Sequence, residues 1–101
     1  MIQPPGQVLA DSSGAIAFLA AGRVPVRASG DGWLPGNGDN VWTGELPFAE
    51  LPAARDPDAG ALFTANQRIV AHDYPHFLTH DWAVPYRARR IAEVLGGAET
   101  F

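Results

Sequence analysis

The chain contains no cysteine, so neither a disulfide nor a thiolate metal site can form within it, and cysteine usage says nothing of its compartment. Lysine is missing as well: the seven basic side chains are all arginine, and with 11 acidic residues the net charge is −4. A nucleic-acid binder needs a clustered cationic face to displace counterions, and only Arg87, Arg89 and Arg90 cluster, so no nucleic-acid partner is expected. No apolar run approaches the roughly 20 residues needed to span a bilayer, so no membrane partner is expected. No charged-then-apolar start marks a signal peptide, which would place any export address outside these residues.

What is present is a globular composition: 47% hydrophobic and 18% charged residues in a 101-residue chain, which has room for one small domain or for part of a larger one. Eleven Gly and nine Pro are far above ordinary usage and place many apolar residues in loops. That pattern suits a piece whose loops are held by something else.

Val8 to Gly22 reads as a hairpin. Val8-Leu9-Ala10 and Ala15 to Ala20 flank Asp11-Ser12-Ser13-Gly14, where Asp and Ser bond their own backbone and Gly14 takes positive φ. The second strand is nearly all apolar, which suits a sheet covered on both faces. Val24 to Arg27 continues as an edge strand, because Pro25 offers no ladder donor. Ser29 to Asn40 is a glycine-rich loop without the strand-then-helix setting that cradles phosphate. Trp42, Leu46, Phe48 and Leu51, set among Pro47 and Pro52, predict a compact turn packed by its own aromatics. Asp56 to Gly60 is a further turn, and Ala61 to Ala65 a short apolar strand ending at Asn66. Pro85 fits the first turn of a helix that runs to about Leu95 and is closed by Gly96-Gly97. Val84, Ala88, Ile91 and Leu95 recur on its core side. Arg87 leans inward more than Arg89, which is placed to pair with Glu93 on the outside.

His72, His76 and His80 are spaced as ligands on one helical face would be, beside Asp73 and Asp81. Pro75 would break that helix, so a loop with polar, partly exposed histidines is expected and not a metal site. Ser12, Ser13 and Ser29 lie in turns without a nucleophile elbow, and nothing in their spacing argues for a Ser-His-Asp triad. The carboxylates cluster in solvated turns, unlike the paired acids of glycoside chemistry. Thr64-Ala65-Asn66-Gln67-Arg68 differs in kind, because an uncharged amide at the end of a buried strand can donate its NH₂ to a developing oxyanion. By composition alone an Asn at this place is more often a turn former.

Several motifs follow one another in an order that resembles a known family. They are Ala10-Asp11, Gly14, Ala21-Gly22-Arg23-Val24-Pro25-Val26-Arg27, Gly32-Trp33-Leu34-Pro35, Trp42-Thr43-Gly44, Leu46-Pro47-Phe48 and Glu50-Leu51-Pro52. Thr64-Ala65-Asn66-Gln67-Arg68-Ile69-Val70, Asp73-Tyr74-Pro75, His80-Asp81-Trp82-Ala83 and Pro85-Tyr86-Arg87-Ala88-Arg89-Arg90-Ile91 complete them. From Val8 to Leu95 the chain is similar to the middle of the catalytic subunit of penicillin amidases. The resemblance implies that residues 1–101 are a single fragment of that subunit, α+β in class and part of a four-layer αββα sandwich. It implies precursors that cleave themselves to expose an N-terminal serine, whose own α-amino group is the base. It implies hydrolysis of linear amide bonds in acylated compounds, penicillins or acyl-homoserine lactones among them, and a periplasmic or secreted location. By the same resemblance Asn66 matches the oxyanion-hole asparagine and Arg87 an arginine beside it.

The nucleophile of that family belongs upstream of this region, so the isolated chain is expected to be inactive and to need the remainder of the amidase chain as its partner. As a fragment it is expected to be marginally stable or to form a homo-oligomer through uncovered strands. Many relatives bind calcium through several carboxylates, one of them after Tyr-Pro, where His76 or His80 stands here. No cofactor is therefore expected of this segment, and calcium in the full-length enzyme is left open. The alternative function is a non-catalytic binding or assembly module derived from the same family.

Overall fold

The computed structural model describes residues 6–36, 38 and 42–97. Strand β1 (Gly6–Ala10) turns back into β2 (Ile16–Ala20) with Gly6 opposite Ala20 and Ala10 opposite Ile16. The turn forms as its chemistry dictates. The Asp11 carboxylate accepts hydrogen bonds from the Ser13 N–H (2.8 Å), the Ser13 hydroxyl and the Ala15 N–H (3.2 Å), and Gly14 takes φ 88°. These bonds, the Ser13 hydroxyl's first and its amide's next, hold the Asp11 carboxyl below the usual carboxylate range.

The other edge of β2 is taken by β5 (Ala53–Arg55), antiparallel, with Phe18 opposite Ala54. The strand expected over Ala61 to Ala65 is not there: that stretch is irregular and joins no sheet. A short apolar run does not distinguish a strand from a half-buried loop. In this case the Ala65 N–H is taken by the Gln67 side chain (2.6 Å), which removes a donor a ladder would need. Asp56 opens the turn that follows β5, and its carboxylate accepts the Ile16 N–H (2.8 Å), tying the turn to the start of β2. The expected cover on both faces of β2 is also incomplete. Phe18 and Ala20 are buried, Ile16, Ala17 and Leu19 are half-buried, and all of β1 is exposed.

A second sheet pairs β3 (Pro25–Arg27) with β4 (Trp42–Glu45), with the register slipping between Val26 and Arg27. Pro25 sits in this two-stranded ribbon, where no second ladder needs its missing donor. The aromatic packing expected around Trp42 is corrected. Trp42 lies in β4 at 62% exposure and Phe48, opening a short 3₁₀ turn (Phe48–Glu50), at 73%. The core there is aliphatic: Val24, Leu46 and Leu51 are buried together, with Leu19 and Leu78 packed against them.

Helix α1 (Tyr86–Gly96) is the single helix of more than one turn among the described residues. Pro85 is its N-cap and not a first-turn residue; its carbonyl accepts the Arg89 N–H (2.8 Å). Gly97 closes the other end, donating to the Glu93 carbonyl (3.2 Å). Ala88 is buried and Ile91 and Leu95 half-buried, but Val84 precedes the helix and is 66% exposed. The outer ion pair also differs from expectation, joining Arg90 to Glu93 (3.1 Å) in place of Arg89. Two small antiparallel sheets with one C-terminal helix make the segment α+β.

Candidate active site

Between Ala65 and Gln67 the chain makes a tight turn whose polar groups have partners from three places. Asn66 has φ 62°, the left-handed region that Asn tolerates better than other side chains because its short amide compensates locally. Ala65 is buried, and its N–H donates to Gln67 Oε1 at 2.6 Å. The Asn66 carbonyl accepts the Ala83 N–H at 2.8 Å, which draws in the strap leading to α1. From the first turn of α1, Arg87 Nη2 donates both to the Ala65 carbonyl (2.8 Å) and to Asn66 Oδ1 (2.9 Å). The two residues singled out from the sequence, 21 positions apart, are thus in direct contact, although Arg87 is exposed and does not lean into a core as expected.

This contact determines how the Asn66 amide faces. A guanidinium has donors only, so the atom it meets must be the amide oxygen, and the NH₂ end is turned the other way. Among the described residues Asn66 Nδ2 donates to no protein group, and the side chain is on the exposed side of the turn. A charged donor on the oxygen also polarises the amide and strengthens its N–H groups as donors. The arrangement can therefore offer a fixed neutral hydrogen-bond donor to a carbonyl oxygen or an oxyanion.

The histidines are not drawn to this turn. Residues 69–83 carry turns and bends but no helix, so the spacing of His72, His76 and His80 does not put them on one face. His76 Nε2 meets Glu50 (2.6 Å), whose carbonyl also accepts the Tyr74 hydroxyl (2.7 Å). Burial, with the Glu50 charge added to it, pushes the Tyr74 phenol up. His80 Nε2 meets Asp31 (3.1 Å) and lies edge-on to both Trp33 and Phe77. Asp31 is held below the ordinary range first by the Trp33 N–H it accepts, and to a smaller degree by His80. Both pairs tie the 73–81 strap to earlier loops. An open hollow of about 490 Å³ lies between Ala49–Ala53 and Ile69–Pro75, and neither Asn66 nor Arg87 lines it.

Gln67 and the Ala83 N–H complete the turn without a clear mark in the sequence. The only signal for Gln67 was its place inside the Thr64-to-Arg68 motif, and a backbone donor such as Ala83 leaves no trace in side-chain identity.

What the geometry shows is an amide side chain on a loop of an α+β segment with its oxygen held by an arginine. The penicillin amidase family matches residues 5–101, and the chain belongs to that family. It is 41% identical over 97 residues to penicillin acylase 2 proenzyme of Pseudomonas sp. (strain SE83), covering 93% of this chain and 12% of that protein. It is 39% identical over 95 residues to the acyl-homoserine lactone acylase QuiP of Pseudomonas fluorescens (strain Pf0-1), covering 91% and 12%. The QuiP protein of Pseudomonas syringae pv. syringae (strain B728a) is 37% identical over 95 residues, covering 91% and 11%. The chain therefore spans about an eighth of the length of the curated relatives it matches.

Proposed function

We propose that these residues are a segment of the catalytic subunit of an acylase that hydrolyses linear amide bonds of acylated compounds, penicillins or related acyl amides, and that they supply its oxyanion-binding side. The observation that carries this reading is the Arg87–Asn66 contact at 2.9 Å, which leaves the Asn66 NH₂ facing outward. In amide hydrolysis the carbonyl oxygen gains negative charge as the tetrahedral intermediate forms. Asn66 Nδ2 meets that charge without giving up a proton, and Arg87 keeps it aimed. Ser12 and Ser13 lie in the exposed hairpin turn, where the Ser13 hydroxyl is held by the Asp11 carboxylate, and Ser29 lies in the loop after β3; none of them is an N-terminal serine, and in this reading the nucleophile comes from another part of the enzyme. Exposed Val8, Leu9, Trp42 and Phe48 and the outer edge of β1, which pairs with no strand among the described residues, are the surfaces that the remainder of the amidase chain covers in a four-layer sandwich.

The test is Asn66→Ala in the full-length enzyme, assayed on a chromogenic acyl amide. Loss of one oxyanion donor is expected to lower kcat about 10²–10³-fold with little change in KM, because the contact belongs to the transition state. A folded variant with near-normal kcat overturns the reading and leaves Asn66 as a turn former.

A further inference from the structure

We propose that Gln67 is a positioning residue for the amide hydrolysis, holding Asn66 in its left-handed conformation through the Ala65 N–H; this rests on the oxyanion reading of Asn66. A left-handed non-glycine residue persists where its surroundings over-determine it. Here the turn is fixed at three points. Arg87 takes the Ala65 carbonyl and Asn66 Oδ1, and the Ala83 N–H takes the Asn66 carbonyl. Those contacts restrain the turn from α1 and from the strap before it. The third is internal: Gln67 Oε1 accepts the N–H of the residue before Asn66, at 2.6 Å, closing a ring around Asn66 itself.

The chemistry of that bond explains why it matters. Ala65 is buried, so its N–H has no ready replacement from water once the acceptor is lost. The cheapest relief is rotation of the backbone on either side of Asn66, which swings the side-chain amide away from its aim. The Gln67 amide oxygen is engaged by the Ala65 N–H and not by the Asn66 NH₂, so its role is to set where that NH₂ points.

The experiment compares Gln67→Met, which keeps length and packing but has only a weakly accepting thioether, with Gln67→Glu, which still accepts strongly, in the full-length enzyme on a chromogenic acyl amide. Gln67→Met is expected to lower kcat about 10- to 10²-fold at unchanged KM, the scale of a misplaced catalytic group. Gln67→Glu is expected to stay within about threefold of the parent, because it retains the acceptor. In an Asn66→Ala background Gln67→Met is expected to cost nothing further, since a residue acting only through Asn66 has nothing left to position. A folded Gln67→Met with parental kcat overturns the proposal. So does an equal loss in both backgrounds, or a folded Gln67→Glu as impaired as Gln67→Met. Should Gln67→Met not fold, Gln67→Lys replaces it with the same expectations, being of similar reach and unable to accept. If Asn66→Ala alone keeps its kcat, the oxyanion reading has failed; if Asn66→Ala loses kcat and Gln67→Met does not, only the positioning role has.

Discussion

The β1–β2–β5 sheet and the Ala65–Gln67 turn satisfy their backbones in opposite ways. In the sheet, regular ladders pair the strands residue by residue, yet the apolar side chains they carry are poorly covered: Val8 is 49% and Leu9 56% exposed. The turn has no ladder at all, yet the Ala65 N–H, the Ala65 and Asn66 carbonyls and the Asn66 amide oxygen are bonded to Gln67, Arg87 and Ala83. Regular structure can form from local pattern before its faces are covered. An irregular site is held only when particular side chains arrive from elsewhere in the chain. The sheet should accordingly be sensitive to packing, and the turn to single polar groups.

The largest effect that would break this contrast is expected at Arg87. Arg87→Ala removes two charge-assisted bonds and should cost the turn about 1.5–3 kcal/mol of local stability, lowering kcat with it in the full-length enzyme. Hydrogen exchange of the Ala83 amide, which is bonded to the Asn66 carbonyl, reports the loosening directly, while β2 amides should be unaffected. Equal acceleration in both regions would show that the two are one cooperative unit and not separately held.

The complementary change is Gly6→Ala. A Cβ there would lie 2.7 Å from Phe18 Cε2 and 3.1 Å from Cζ, so the ring must shift or the strand must move. Because the clash is with the far end of one side chain, about 1 kcal/mol is expected, at the low end of overpacking costs. Faster exchange in β2 with the Ala65 and Ala83 amides unchanged would sharpen the comparison; no change in β2 would mean that Phe18 is free to move aside.

The smallest effect is at the hairpin turn and is read by pH. The folded Asp11 carboxyl is depressed below its unfolded value by Ser13, so its contribution is full above the ordinary aspartate range and is lost as pH falls through the lower folded value. An NMR titration of Asp11 should give a midpoint below that of aspartate in an unstructured peptide. The Ser13 amide, its hydrogen-bond partner, should shift at the same midpoint, and a midpoint at or above the peptide value would remove the turn's polar contribution.

The parts whose causes are local are legible in the residues alone. Asp11, Ser13 and Gly14 define the hairpin turn, and Pro85 and Gly97 bound the helix to within a residue or two, because turn and cap preferences act over a few bonds. The ordered motifs from Ala10 to Ile91 were enough to place the chain in its family. Tertiary structure decided the rest. Ala53–Arg55, not Ala61–Ala65, is the partner of β2, since either short apolar segment could pair and only the path of the chain selects one. It left Trp42 and Phe48 exposed, since burial depends on which surfaces come near, and it chose Arg90 over Arg89 for Glu93. Above all it brought Arg87 onto Asn66 and lent Gln67 to the Ala65 N–H, because the direction of an amide side chain is set by partners that local sequence preference does not encode.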